Sequence, residues 1–391
     1  MPEAERAARG DRLLTPGFTR LLVAQACFGY AFSSWFLLPK FLVTQLHAGP
    51  AEIGQVTALY GLFVVVCLPA MGAVVDRFGR RDFLTAGAVV MALASLAFVF
   101  VDRVGPLLFV LRAIQGIAFA MAFVAGATLA VDEAPPERLG QAIGIFGLTF
   151  LAMNAIAPAA SEEIALRAGW PPTFVAAAVL ALVSAGLSRR LQDRRSAAAP
   201  ADAPASGLVA MLLRPRQLRV TAVISLVGVA LGAMFTFHQP FALDLGMTHV
   251  RSFFVAYALA AVVLRVAFGH LIDRAGRRRV VIATLALYVA VVAGMSALQP
   301  GWLALFGAGL GIAHGLFYPA YNALALEGMA AHERGKSMGL FQAGFNAGSS
   351  CGAFALGELA ERAGYPAVFW VAAGCVLLAL VLVMRSPEGR R

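Results

Sequence analysis

Apolar residues fill this chain in long stretches, each closed by a charge, a proline or a glycine. Twelve can be traced, at about 18–43, 53–75, 83–101, 105–131, 140–165, 170–188, 218–246, 251–272, 280–297, 301–327, 336–359 and 365–384. A bilayer's hydrocarbon core is about 30 Å thick and takes roughly 20 apolar helical residues to cross. The pattern predicts an all-α membrane protein with twelve transmembrane helices, called spans one to twelve below. Met1 to Thr15 is polar, and the first apolar stretch is too long for the core of a cleavable signal.

Composition supports this reading. Hydrophobic residues make up 60% of the chain, and the mean hydropathy is +0.79, above the roughly 45–50% apolar share of soluble domains. Only 13% of residues are charged, with a net charge of +10, so the placement of charge is informative. Twenty-four of the 31 Lys and Arg fall in the N-terminal tail, the even-numbered loops, the linker and the C-terminal tail. Five fall in the opposite loops (Lys40, Arg103, Arg167, Arg251, Arg362), and Arg112 and Arg265 lie within spans. Positive charge stays on the cytoplasmic side, which predicts that both termini are cytoplasmic. The basic surface then faces anionic lipid, and nucleic acid is excluded as a partner because the basic residues sit in short loops between spans. Arginine greatly outnumbers lysine, of which there are only two. This bias suits a GC-rich bacterial genome and a bacterial cytoplasmic membrane location.

The stretch LSRRLQDRRSAAAPADAPASG, Leu187 to Gly207, lacks apolar periodicity and reads as a flexible cytoplasmic linker. It divides the chain into residues 1–188, a linker over 189–217, and residues 218–391, six spans on each side. Cys27, Cys67, Cys351 and Cys375 all lie in apolar runs without metal-type spacing, so they read as small packing residues rather than metal ligands or disulfides. No phosphate-binding glycine loop is present, which argues against ATP-driven pumping; no cofactor is expected.

The two halves repeat one another. GAVVDRFGRR (Gly72 to Arg81) and GHLIDRAGRR (Gly269 to Arg278) share G-x-x-x-D-R-x-G-R-R at an offset of 197. Both fall in the short loop between the second and third spans of a half. Glu137-Arg138 is matched by Glu333-Arg334, and Asp132 has a rough counterpart in Glu327. Parallel repeats of this kind point to two rigid bundles around a central cavity.

At these residues the chain resembles the major facilitator superfamily. The doubled loop signature is that family's best-known motif, and RAIQG (Arg112 to Gly116) resembles its second motif in span four. The resemblance implies two six-helix bundles, secondary active transport of a small molecule, no enzymatic activity, and a monomer. It implies a gating latch at Gly72, Asp76, Arg77, Gly79, Arg80 and Arg138, with Gly269, Asp273, Arg274, Gly276, Arg277 and Arg334 as counterparts. Asp76 would pair with Arg77, Arg80 or Arg138, or face the positive end of span eleven near Gly335-Lys336. The alternative is that these charges only set topology.

Candidate substrate or proton groups lie within the spans. Arg112 and Arg265 are costly there and need a partner or a cavity. They have no equivalents across the repeat, and Arg112 also suits a structural hydrogen bond. In span ten His314, Tyr318 and Asn322 share one face, while Gly307, Gly311 and Gly315 form a separate face suited to close helix packing. Span eleven offers Gln342, Asn346 and Ser349. Span one offers Gln25, Gly29, Tyr30, Ser33, Phe36 and Lys40, and Gln115, Asn154, His238 and Gln239 complete the set. The acids are expected at span ends, in loops or in tails. That leaves His238 and His314 as proton-exchange candidates, with Asp132, Glu162, Glu163 and Asp244 at the mouths. NAIAPAASEE, Asn154 to Glu163, keeps only Pro158 of the family's glycine-rich antiporter motif.

Proton-coupled efflux of a drug, sugar or metabolite is the leading expectation. An organic-anion carrier using Arg112 and Arg265 is the alternative, and a non-transporting membrane sensor is a third reading.

Overall fold

The computed structural model describes residues 14–135, 138–192, 205–268 and 276–386. The elements among these residues are helices. Among the described residues, ten spans are long and apolar enough to cross a membrane: span one (Pro16–Leu46), two (Pro50–Phe78), three (Arg80–Ala97), four (Pro106–Asp132), five (Leu139–Ala168), six (Trp170–Ser188), seven (Pro215–Asp244), nine (Arg277–Met295), ten (Leu303–Leu326) and twelve (Tyr365–Arg385). Span eight (Arg251–Phe268) and span eleven (Ala331–Ala363) pack among them. A short helix, Ala205–Leu212, occupies part of the segment expected to be a flexible linker.

Spans one to six pack on one another, as do spans seven to twelve. The two sets meet along two seams, span two on span eleven and span five on span eight. Leu62, Val66, Leu93, Val179, Leu182, Leu259, Leu305, Trp370 and Leu378 are exposed. In a bilayer such side chains face lipid tails, so they need no protein cover.

Small residues set how closely the helices approach. A Cβ on Gly228 of span seven would stand 2.3 Å from the Phe345 carbonyl oxygen, and one on Gly348 of span eleven 2.0 Å from that of Ser225. The expected glycine face of span ten is used in the same way. Cβ atoms on Gly307 and Gly311 would meet the carbonyl oxygens of Phe253 and Tyr257 in span eight at 2.3 and 2.2 Å.

The doubled loop has a backbone cause. Gly79 (φ 106) and Gly276 (φ 85) both sit in the left-handed region as caps between consecutive spans, where a Cβ is strained. A third match appears at the opposite end. Arg167-Ala-Gly-Trp-Pro returns as Arg362-Ala-Gly-Tyr-Pro, and Gly169 and Gly364 both have positive φ where spans five and eleven turn back.

Several boundaries differ from expectation. Span one runs to Leu46 and is broken by a 3-10 turn at Ser34–Leu37. Lys40, counted with the loop cations though inside the expected span one, lies in the helix and is 5% exposed. Span five extends to Ala168, so Glu162 lies about two turns before its end, with no exposure. Extra residues at a span's end stay helical because the helix satisfies its own backbone groups.

Replacing Gly348 with Val will force spans seven and eleven apart. Overpacking costs about 1–3 kcal/mol, so the melting temperature of the detergent-purified protein should fall by several degrees. Gly374→Val in span twelve, where an added Cβ meets nothing within 4 Å, should leave it unchanged.

Candidate functional site

The end of the bundle away from the chain termini is sealed by two different seams. In one, Glu162 of span five accepts from Lys40 Nζ of span one at 2.5 Å, and from the backbone N–H groups of Val250 and Arg251 at 2.8 and 2.9 Å. Lys40 Nζ also donates to the Thr248 carbonyl at 2.5 Å. The two N–H groups belong to the start of span eight, where helical donors have no internal partner and a carboxylate is favoured. Next to this knot Glu163 pairs with Arg251 across the halves, and with Arg167 at 2.5 Å within its own helix.

The other seam rests on close backbone contact, and its carboxylates are partly or fully exposed. A Cβ on Gly54 would stand 2.3 Å from the Ala353 carbonyl oxygen, and one on Gly357 2.8 Å from that of Pro50. Gln55 donates to Glu358 at 3.3 Å, and the Ala51 N–H to Glu361 at 3.3 Å. At the offset of 195 set by the Arg167 and Arg362 turns, Gly357 is the repeat equivalent of Glu162.

The opposite end is less tightly closed. Gly140, Gly144 and Gly147 of span five, and Gly335 and Gly339 of span eleven, have open space where a Cβ would be. Several polar contacts there stay within one half: Arg80 with Asp132, Arg20 with the Arg190 carbonyl, and Arg214 with Glu333. Arg138 is exposed, Arg334 Nε donates to the Met329 carbonyl at 3.3 Å, and Arg277 opens span nine. Gly269, Asp273 and Arg274 lie outside the described residues, as do the side chains of Asp76 and Arg77 and the surroundings of Gly72.

Between the two ends lies a zone of half-buried aromatic side chains. Phe32 packs at 4.5 Å on Phe119 and 5.3 Å on Phe150, and Phe119 at 5.2 Å on Phe123. Phe36 crosses to Phe235 at 5.1 Å. The 3-10 turn contributes here: Pro39, three residues after Phe36, has no N–H to offer the Phe36 carbonyl. Gln239 of span seven donates to that carbonyl instead, at 2.6 Å. Ser33 donates to Asn154 at 2.8 Å. Gln25 and Tyr30 are buried, and neither amide atom of Gln25 has a hydrogen-bond partner among the described residues.

The two intramembrane arginines lie apart, one in each half. Arg112 is 5% exposed, donates to Gln115 at 2.6 Å and lies 4.8 Å from the Tyr60 ring centroid. Half-buried Arg265 lies on the face of span eight that packs on span ten, one helical turn beyond Ala261, which a Cβ on Gly315 would meet at 3.2 Å. Tyr318 donates to Gln342 at 2.5 Å, and its ring lies 5.5 Å from that of His314. Asn346 turns to the Gln342 carbonyl at 2.8 Å, and Asn322 is half-buried. His238 is instead packed away. Its Nδ1 lies 2.5 Å from the Met234 carbonyl oxygen, and its ring stacks at 4.0 Å on Phe253.

Sequence reasoning placed Glu162 and Lys40 near the mouths but missed their pairing and the two N–H donors. The signal was available in the repeat, where Glu162 stands opposite a glycine. It also passed over the aromatic zone, whose members are scattered through spans one, four, five and seven.

Helices of this length, in two sets around a midline lined with polar and aromatic groups, define a polytopic membrane carrier. The profile of the Major Facilitator Superfamily matches residues 21–256 and 250–391, and the chain belongs to that family. It is similar to the multidrug resistance protein MdtG of Salmonella arizonae, 26% identical over 350 residues that cover 86% of each chain. It is also similar to the staphylopine export protein of Staphylococcus aureus, 22% identical over 94% of this chain and 95% of that one. The nucleoside transporter NupG shares the fold, with a TM-score of 0.80 and 15% identity over 94% of this chain and 98% of that one. The protein is a bacterial membrane transporter of small molecules, not an enzyme.

Removing one member of a buried ion pair costs about 3–5 kcal/mol because the other is left uncompensated. Glu162→Gln and Lys40→Met should each loosen the sealed end, and the double variant should loosen it less than the two effects combined. The measure is labelling of a cysteine at Ser33 by an impermeant maleimide in a background lacking the native cysteines.

Proposed function

We propose that this transporter exports amphipathic small molecules from the cytoplasm in exchange for protons. The halves, residues 1–188 and 218–391, rock about a midline site, joined by the segment 189–217. Arginine placement puts both termini in the cytoplasm, so the sealed end faces outward. The observation that carries the reading is the buried Glu162 carboxylate, which bridges the halves. Export as the direction is supported by the names of the two relatives.

The cycle follows from the chemistry of that knot. With the outer end open, Glu162 is parted from Lys40 and from the Val250 and Arg251 N–H groups, and it takes up a proton from outside. Closure returns one cation and two donors to the two carboxylate oxygens, and these contacts compete with the added proton for the same oxygens. Arg251, Arg167 and Glu163 face the same corner, and Glu163 is itself neutralised by the two arginines. The proton leaves towards the cytoplasmic side, which is then the open one. Cargo bound between the halves drives the reverse transition, and protons moving inward are exchanged for cargo moving outward.

The glycine seam supplies a hinge. Gly54 and Gly357 hold spans two and eleven in backbone contact, so the halves pivot there while the charged seam opens and closes. Asp76 and its loop act as the latch for the cytoplasmic end.

Inside-out vesicles test the direction. An acid lumen, which corresponds to the external face, should drive accumulation of an apolar aromatic dye; accumulation only under the reversed gradient would overturn export. Asp76→Asn should lower the transport rate by about tenfold or more and leave ligand affinity within about twofold. A normal rate would remove the latch.

A further inference from the structure

The C-terminal half contains a cluster of polar groups that the gating scheme does not use. His314 and Tyr318 of span ten and Gln342 of span eleven are joined by contact, and Arg265 lies on the face of span eight that packs on span ten, one turn beyond the Ala261–Gly315 contact. Three buried atoms here have no hydrogen-bond partner among the described residues: Arg265 Nε, His314 Nδ1 and the Tyr288 hydroxyl. His314 is only 8% exposed. A buried polar atom without a partner costs free energy comparable to a lost hydrogen bond. Such atoms occur elsewhere among the described residues, Arg112 Nε included; here a guanidinium, an imidazole and a phenol each leave one, with the His314 and Tyr288 rings 6.2 Å apart, and a ligand would complete the set.

The chemistry of the missing partner follows from the donors. Arg265 forms no ion pair with a carboxylate among the described residues, whereas Lys40, Arg80, Arg167, Arg214 and Arg251 all do. An uncompensated cation within a span is costly and favours a negative partner. Guanidinium presents a planar fork that matches carboxylate or phosphate oxygens, and a neighbouring imidazole and phenol can add donors. Phe32, Phe119, Phe123 and Phe150 of the other half connect to span eight through a chain of rings, Phe32 on Phe36, Phe36 on Phe235 and Phe235 on Tyr257, at 5.1–5.2 Å.

We infer that the cargo is an acidic aromatic molecule. Its carboxylate or phosphate is held by Arg265, with His314 and Tyr318 beside it, and its apolar body lies against the phenylalanines of the N-terminal half. The inference rests on the export reading for its site but names the substrate class. It also explains why the two halves differ at the midline: one binds the head and the other the body. Arg112 is the less available of the two, because one of its terminal nitrogens donates to Gln115 and the Tyr60 ring lies 4.8 Å away, although its Nε, like that of Arg265, has no partner among the described residues.

The test uses the purified full chain with 2-naphthoate and phenyl phosphate as ligands, and 2-naphthamide, phenol and naphthylmethylammonium as neutral and cationic counterparts. Binding is read by thermal stabilisation and by quenching of intrinsic fluorescence at fixed salt. The acids should bind and the counterparts should bind more weakly. Arg265→Lys should weaken the acids by about tenfold, because an ammonium cannot make the two-pronged contact, and should leave the counterparts unchanged. Arg265→Gln should abolish the preference; if that variant is unstable, the lysine variant decides alone.

Binding of the neutral or cationic compounds as tightly as the acids overturns the inference, as does an equal loss for both classes in Arg265→Lys. Failure of both acids to bind overturns it as well. Displacement of naphthoate by phosphatidylglycerol, but not by glycerol phosphate, would assign the cluster to a lipid headgroup and also overturn it. The vesicle assay separates this failure from that of export. Dye accumulation with no acid preference leaves export standing and removes the substrate class. Absence of proton-driven accumulation for every compound removes export itself.

Discussion

A carboxylate inside a membrane protein is tolerated only where cations and donors surround it, and Glu162 is held by three groups drawn from both halves of the chain. Two of them are backbone N–H groups, which side-chain substitution leaves in place. The third, Lys40, comes from a helix that restarts after a 3-10 break. Each partner is therefore fixed by backbone position, and the corner closes fully only when the two halves meet. An ion pair of this kind contributes little to stability compared with a well-packed apolar core, but it is sensitive to the loss of any one member. Sensitivity of that kind suits a gate better than a scaffold.

The rest of the architecture can be read as a repeat with its symmetry broken at a few positions. The loop glycines 79 and 276 and the turn glycines 169 and 364 are equivalent in both halves, because each makes the same backbone turn. Glu163 and Glu358 are equivalent too, each with an arginine four residues on at 2.5 and 3.9 Å. Glu162 and Gly357 are not. One seam thus carries a buried ion pair, and the other carries close backbone contact. Arg112 and Arg265 break the symmetry again: the first donates to Gln115 and lies against the Tyr60 ring, the second forms no ion pair among the described residues, and both leave a buried Nε without a partner there.

Much of this was legible before any coordinates. Hydrophobic run length predicted the spans, because a helix must satisfy its own backbone in lipid. The packing face of Gly307, Gly311 and Gly315 was legible because helical periodicity places those residues in one line, and they meet span eight through it. The pairing of Tyr318 with Gln342 joins two polar faces recognised separately in spans ten and eleven. His238 and His314 look alike in sequence, and only the structure separates them: the first stacks on Phe253, the second lies against Tyr288 and Tyr318.

The sequence by itself determined everything that depends on local period and on backbone chemistry: the helices, the turn glycines, the repeat and the sidedness of the arginines. Each follows from interactions within a few residues or from the cost of a charge in hydrocarbon. Only the tertiary structure decided which charges meet. Lys40 and Glu162 are separated by 122 residues, and Glu162 and Val250 by 88. Nothing in the span boundaries alone distinguishes a lysine at a mouth from a lysine sealed against a carboxylate. That distinction depends on how the two halves face one another, which is a property of long-range packing and not of any one segment.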